Sequence, residues 1–442
     1  MSRSSQVTSS PAYPRHLAGA DGVRGLACLL VVVIHLYNVT PDPHGSIDAM
    51  IKKIVRWEQL GLGVGAFFVL SGMLLSYPFW KAYADSGPMP NLGRYANRRI
   101  ARIVPAFTVA SLVSFVAFSD FSITQTVRLI AGLLYLNSFH YQTFFPVEGD
   151  PPLWSIGIEM QFYLLLAITM VGVFAWRRMR PGLAAAAGVI AGLAAAIAVG
   201  NWAVGRAVFE PMLDGVRTTA QGLPWSAANN FLPFQNPIGL FAYFLVGVLS
   251  GWGIVWLVST GRAERWRRPS WGRFNAFDGA IVAATLVFLA LAPLAPHAAS
   301  LGLGHGFPIF PVFMMVVMTS LPFTGRIGGW LDLPLLRWVG VISYGLYLWH
   351  YPSMLWVKNL WHGGFEGVQS IGWVERAAFG AVATGLATLI AAASWYGMER
   401  PVVRWSKRLE SGGSAARQAN QPENTPRSAE REPKDRTPAQ AG

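Results

Sequence analysis

Charge is what this sequence has least of. Only 13% of its 442 residues are Asp, Glu, Lys or Arg, while 53% are hydrophobic. Soluble chains carry about 25% charge. The shortfall leaves too little charge to cover a globular surface, which excludes an ordinary cytosolic enzyme. A mean hydropathy of +0.38 likewise excludes a disordered chain or a collagen-like fibre. Cysteine is almost missing: Cys28 stands alone, so no disulfide scaffold or thiolate metal site can be built. Ligand spacing is missing too. Five of the eight histidines (His44, His140, His297, His305 and His362) fall in expected outer loops with no metal-binding pattern, and no metal is expected. Acidic residues number 22 against 35 basic ones, a net charge of +13. That excess suits a nucleic-acid binder, or a membrane protein that keeps basic residues in its cytoplasmic loops.

Apolar runs are abundant. A bilayer core of about 30 Å needs roughly 20 apolar residues per helix. Ten stretches qualify approximately: Val23–Tyr37, Leu60–Trp80, Ile103–Phe118, Ile156–Trp176, Leu183–Gly200, Ile238–Val258, Ala276–Pro296, Phe307–Phe323, Trp338–Val357 and Val374–Trp395. The run Thr126–Asn137 is shorter and reads as interfacial or re-entrant. The fold class expected is therefore all-α, a polytopic transmembrane bundle of about ten spans. Residues 17–405 form the membrane domain, between disordered cytoplasmic tails at 1–16 and 409–442. With the N-terminus inside, 22 basic residues fall in inner segments and 8 in outer ones, the rest lying in the distal tail. This split places both termini in the cytoplasm of a plasma (inner) membrane protein, and removes most of the case for nucleic acid.

Ionisable residues within spans are costly and mark function by default. Arg24 and His35 lie eleven residues apart on the first span, on one face and about 16 Å apart along the axis. Arg24 reads equally as a snorkelling flank residue, and His35 as an interfacial histidine. Glu159, near the outer end of the fourth span, falls by counting at about the depth of His35. A carboxylate beside an imidazole is how a general base is built; a helix-capping or water-facing Glu is the other reading. Tyr344, Tyr347 and His350 form an i, i+3, i+6 stripe on the ninth span, either an aromatic packing face or the wall of a polar cavity. Arg94, Arg98, Arg99 and Arg102 approach the inner end of the third span. Arg99 and Arg102 share a helix face and suit phosphate, although simple positive-inside anchoring explains the spacing as well.

Six segments in order resemble the acyltransferase-3 family of integral-membrane acyltransferases. They are Asp21-Gly22-Val23-Arg24 through His35; Phe67-Phe68-Val69-Leu70-Ser71-Gly72; Arg99-Ile100-Ala101-Arg102; Trp154-Ser155-Ile156-Gly157-Ile158-Glu159; Ile342-Ser343-Tyr344-Gly345-Leu346-Tyr347-Leu348-Trp349-His350; and Glu399-Arg400-Pro401. Gly65 or Ala66 stands where many members carry Asp, and Met160 where a second acid often follows the fourth-span Glu. The chain ends soon after the tenth span, so the esterase-like domain fused to some members is not expected. The resemblance implies transfer of an acyl group, often acetyl, from cytoplasmic acyl-CoA to a hydroxyl of a carbohydrate, a lipid-linked glycan or another small acceptor. No permanently bound cofactor is implied; acyl-CoA is a substrate. The resemblance makes His35 the catalytic histidine, as base or as acyl-carrying nucleophile, with Arg24 and Glu159 assisting. It makes Arg99 and Arg102 the donor-binding pair, joined by Ser71, Tyr344, Tyr347 and His350 as substrate contacts. An exporter of an acylated sugar or lipid would also use polar residues at mid-depth, but the paired inverted repeats of such transporters are not evident.

Overall fold

A computed structural model of the chain describes residues 13–14, 17–40, 61–179, 181–204, 207, 236–269, 272–291, 308–361 and 371–419. All ten apolar stretches form helices. They are α1 (Ala20–Val39), α2 (Leu62–Ala84), α3 (Leu92–Phe118), α5 (Trp154–Trp176), α6 (Leu183–Val204), α7 (Pro237–Ser259), α8 (Ala276–Leu291), α9 (Ile309–Ser320), α10 (Pro334–Leu360) and α11 (Trp373–Ser394). The short α4 (Ile123–Leu133) takes the place of the interfacial run. Seven helices are long and apolar enough to cross a bilayer. Helices α8 and α9 are shorter, and α10 reaches 27 residues but carries Tyr344, Tyr347, His350 and Tyr351 along its length. The described residues contain no β-strand, and the architecture is an all-α polytopic bundle.

Glycines at crossing points set the packing. A Cβ on Gly340 would lie 1.9 Å from the Asp21 carbonyl oxygen, and one on Gly22 would lie 1.9 Å from that of Leu331. Small residues of this kind let helix backbones touch, which in lipid replaces the hydrophobic drive that water supplies. Helices α1 and α10 therefore run side by side and parallel: Cys28 Sγ donates to the Ser343 carbonyl, and His35 meets His350 further along. Helices α2 and α7 pair in the same way. Gly72 lies against Phe244 and Gly247 against Val69, while Ser76 and Trp80 donate to the Val248 carbonyl. Parallel pairing of the first span with the ninth, and of the second with the sixth, is what strict alternation across a bilayer requires. Because a Cβ on Gly247 would sit 2.0 Å from the Val69 oxygen, Gly247→Leu is expected to push the helices apart. Overpacking of this kind costs about 1–3 kcal/mol or more. The check is a lowered thermal midpoint in detergent; an unchanged midpoint would show that the α2–α7 contact yields freely.

The C-terminal end corrects an expectation. The tail was expected to be disordered from Leu409. Instead α11 passes through a π-helical turn (Trp395–Glu399) into α12 (Arg400–Ala419). Glu410 accepts hydrogen bonds from Arg98 and Asn97, and Asn97 also donates to Ser406, which pins this helix to the start of α3. Most of the expected N-terminal tail and residues 420–442 lie outside the described residues.

Candidate active site

One cavity gathers most of the expected residues. Arg24 of α1, Ser71 of α2, Arg99 and Arg102 of α3, Glu159 of α5, and Tyr344 and Tyr347 of α10 all line it. Its volume is about 80 Å³, and neither His35 nor His350 is among the residues that line it. Its guanidinium end is built by helical spacing. Arg99 and Arg102 turn into the cavity, Arg99 beside the Tyr163 ring and Arg102 beside the Trp395 ring. Arg98 points away to Glu410. Arg24 is bridged to Asp21 at 2.9 Å, one turn earlier on α1, and also lies within electrostatic reach of Arg102 and Glu159.

Glu159 does not reach His35. Its Oε1 accepts hydrogen bonds from the Tyr163 hydroxyl at 2.6 Å and the Ser71 hydroxyl at 2.9 Å. The expected dyad is therefore replaced by a Glu159–Ser71–Tyr163 cluster facing the arginines. The reason is depth. Residues 134–153 fold into the outer end of the bundle, where Asn137, Asp150 and Leu153 are fully buried, so α5 starts well inside. Ser155, near its start, already bonds Tyr347, one turn below His350. Glu159 lies a further turn down, about 10 Å below the histidine level.

The histidine has a different partner. His35 and His350 meet at 3.2 Å between His35 Nδ1 and His350 Nε2, with ring centroids 5.0 Å apart. Each Nδ1 also faces a backbone carbonyl: Val31 at 2.8 Å for His35, and Tyr347 at 2.7 Å for His350. A carbonyl can only accept, so both rings carry their proton on Nδ1. His350 Nε2 is then an acceptor for the His35 Nδ1–H, which it shares with Val31. This leaves the lone pair of His35 on Nε2, which has no hydrogen-bond partner among the described residues. His350 was expected to touch substrate. It is fully buried with both nitrogens engaged, one on the Tyr347 carbonyl and one on His35.

The tyrosines of the α10 stripe are also held. Tyr344 donates to the Ile103 carbonyl at 2.8 Å, and Tyr347 to the Pro152 carbonyl at 2.8 Å. Tyr347 lines the cavity, and its ring lies 5.7 Å from that of His350. It thus joins the arginine-lined passage to the imidazole pair. Ser155 stands inside the fourth-span motif and Tyr163 four residues after its Glu159 on one helix face, yet neither is among the site residues expected from the sequence. Among the described residues no group of three or more His, Cys, Asp or Glu is placed to hold a metal.

The family model for the acyltransferase domain named acyltransferase-3 matches residues 17–393. The chain belongs to this family. Its relatives include YrhL of Bacillus subtilis, named as a candidate peptidoglycan O-acetyltransferase, 26% identical over 78% of this chain and 49% of that protein. The O-acetyltransferase OatA of Staphylococcus aureus is 25% identical over 79% of this chain and 53% of OatA. The chain thus spans about half the length of these curated relatives. No solved structure matches it. Family membership and the apolar helices together make it a membrane protein.

Proposed function

We propose that this acyltransferase-3 member is an O-acyltransferase that moves an acyl group, acetyl in the first instance, from acyl-CoA to a hydroxyl of a carbohydrate or lipid-linked glycan. The observation that carries the reading is the His35–His350 pair, in which His35 Nε2 has no hydrogen-bond partner among the described residues and His350 lies 5.7 Å from Tyr347 of the cavity that three arginines line. The relatives' names point to a carbohydrate acceptor. In this reading, which the basic split supports, the arginine end and both termini face the cytoplasmic side of the plasma membrane, where acyl-CoA is made.

In this reading Arg99 and Arg102 hold donor phosphates, for which planar guanidinium groups are suited. The narrow passage takes the slender acyl arm and leaves the nucleotide outside. Glu159, fixed by Ser71 and Tyr163, balances Arg24 and keeps the middle of the passage polar. At the outer end His35 Nε2 removes the acceptor's hydroxyl proton. The oxygen's electron pair forms the new bond to the acyl carbon, the C–S bond breaks, and the thiolate leaves and takes the proton. The same lone pair also serves a two-step route through an acyl-imidazole. His350 accepts the Nδ1–H and steadies the ring as positive charge builds on it.

Sealed membrane vesicles of defined orientation test this. Inverted vesicles given labelled acetyl-CoA outside are expected to release CoA and to retain label on glycan, and right-side-out vesicles to do neither. Release in neither orientation would sink the reading. Release only from right-side-out vesicles would reverse the orientation.

A further inference from the structure

One buried ionisable group has no part in the steps above. Asp150 is fully buried, and neither of its carboxylate oxygens has a hydrogen-bond partner among the described residues. Buried polar groups are nearly always paired, so a bare carboxylate calls for a reason. Its position is built, not loose. Asn137 donates to the Phe144 carbonyl and Thr143 to that of Asn137, while Arg128 donates to the Phe145 carbonyl and is paired with Glu148. Arg128, a buried cation of the same region, is thereby taken by Glu148 and leaves Asp150 alone.

Asp150 lies within electrostatic reach of Tyr347 and Tyr351 of α10, and Glu148 within reach of Tyr351. These two tyrosines are the rings that touch the histidines. Tyr351 lies edge-on to His35 at 5.4 Å, and Tyr347 lies 5.7 Å from His350. Pro152, two residues after Asp150, accepts the Tyr347 hydroxyl. Asp150 is thus a carboxylate within electrostatic reach of the tyrosines that stand against both histidines.

We propose that Asp150 is a positioning residue of the transfer site, which offsets the charge that forms on the His35–His350 pair when His35 takes the acceptor's proton. The inference rests on the reading of His35 given above. In the step, the acceptor O–H bond breaks and the proton goes to His35 Nε2; the oxygen pair forms the bond to the acyl carbon, the C–S bond breaks, and its pair leaves with the thiolate, which then takes the proton. Asp150 gains and loses no proton, but its negative charge lies beside the new imidazolium. Burial pushes the Asp150 carboxyl well above its ordinary range, so the competent form, carboxylate with neutral histidines, is lost as pH falls. The titration belongs to the cluster of Asp150, His35 and His350 together, with Glu148, Arg128, Tyr347 and Tyr351 around it.

The test is the pH profile of acyl transfer in the full-length membrane protein. Asp150→Asn keeps the shape and removes the charge. Transfer at the plateau is expected to fall about tenfold or more, and the acid limb to move about one pH unit or more lower, since the imidazole pair loses a neighbouring anion. Thermal stability is expected to hold, because a neutral amide is no harder to bury than a bare carboxylate. A wild-type profile in Asp150→Asn would overturn the proposal, as would lost stability with an unmoved limb. If Asp150→Asn does not fold, Asp150→Glu serves. It keeps the charge on a longer arm and is expected to retain transfer with a displaced limb, and a superimposable profile overturns the proposal. Failure of the His35 reading is told apart by His35→Ala: persistent transfer there defeats that reading, whatever Asp150 does.

Discussion

His35→Ala is expected to abolish acyl transfer while the protein still inserts and folds. His35 is half-buried on α1, and its ring contacts are with His350 and Tyr351. Alanine removes the Nε2 that has no hydrogen-bond partner among the described residues. Loss of a positioned general base costs on the order of 100- to 10,000-fold, about 2.7–5.4 kcal/mol of barrier. A nucleophilic role would raise the loss. His350→Ala keeps His35 but removes the acceptor for its Nδ1–H, so it should cost less and mainly disturb ring orientation. The measurement is CoA release with acceptor labelling, run beside a thermal melt. Transfer within tenfold of wild type in a folded His35→Ala protein would show that another group does the chemistry. Tyr347 and Ser155, already bonded to each other at 2.7 Å, would then be the next place to look.

Arg99→Ala combined with Arg102→Ala should weaken donor binding more than it slows chemistry. Both arginines line the passage at its guanidinium end, and neither makes an ion pair among the described residues; each stands beside an aromatic ring instead. Their hydrogen-bonding edges are therefore available to phosphate. Each charged hydrogen bond lost is worth about 1.5–3 kcal/mol. The pair should therefore raise the donor Kd by about a hundredfold or more. Saturating donor should recover much of the rate, because His35 is untouched. Arg98→Ala is the control: Arg98 is tied to Glu410, so its loss should loosen α12 and leave donor affinity alone. Equal donor affinity in the double variant and the wild type would reduce Arg99 and Arg102 to topological anchors.

The two halves of the site were unequally legible. Arg99 and Arg102 share a face three residues apart, and the helix turns both into the passage as the spacing requires. Arg24 lines the cavity, whereas His35, eleven residues on, meets His350 outside its lining. The Glu159 placement failed because it assumed that every span starts at the membrane surface. Residues 134–153 break that assumption by filling the outer end of the bundle, so α5 enters lower. Pairing of His35 with His350 joins residues 315 apart in sequence, and no local pattern encodes it.

The sequence by itself determined the ten helices and their order, the uneven sharing of basic residues between the two sides, and the family. These follow from local properties: apolar runs as long as a bilayer is thick, charge near their ends, and short motifs along one strand of chain. Tertiary structure alone decided which ionisable groups meet. It set Glu159 among the arginines and His350 behind His35. Relative depth and facing of helices depend on where glycines let backbones touch and on how far a loop sinks between them. Both are properties of packed neighbours, which no single helix carries in its own sequence.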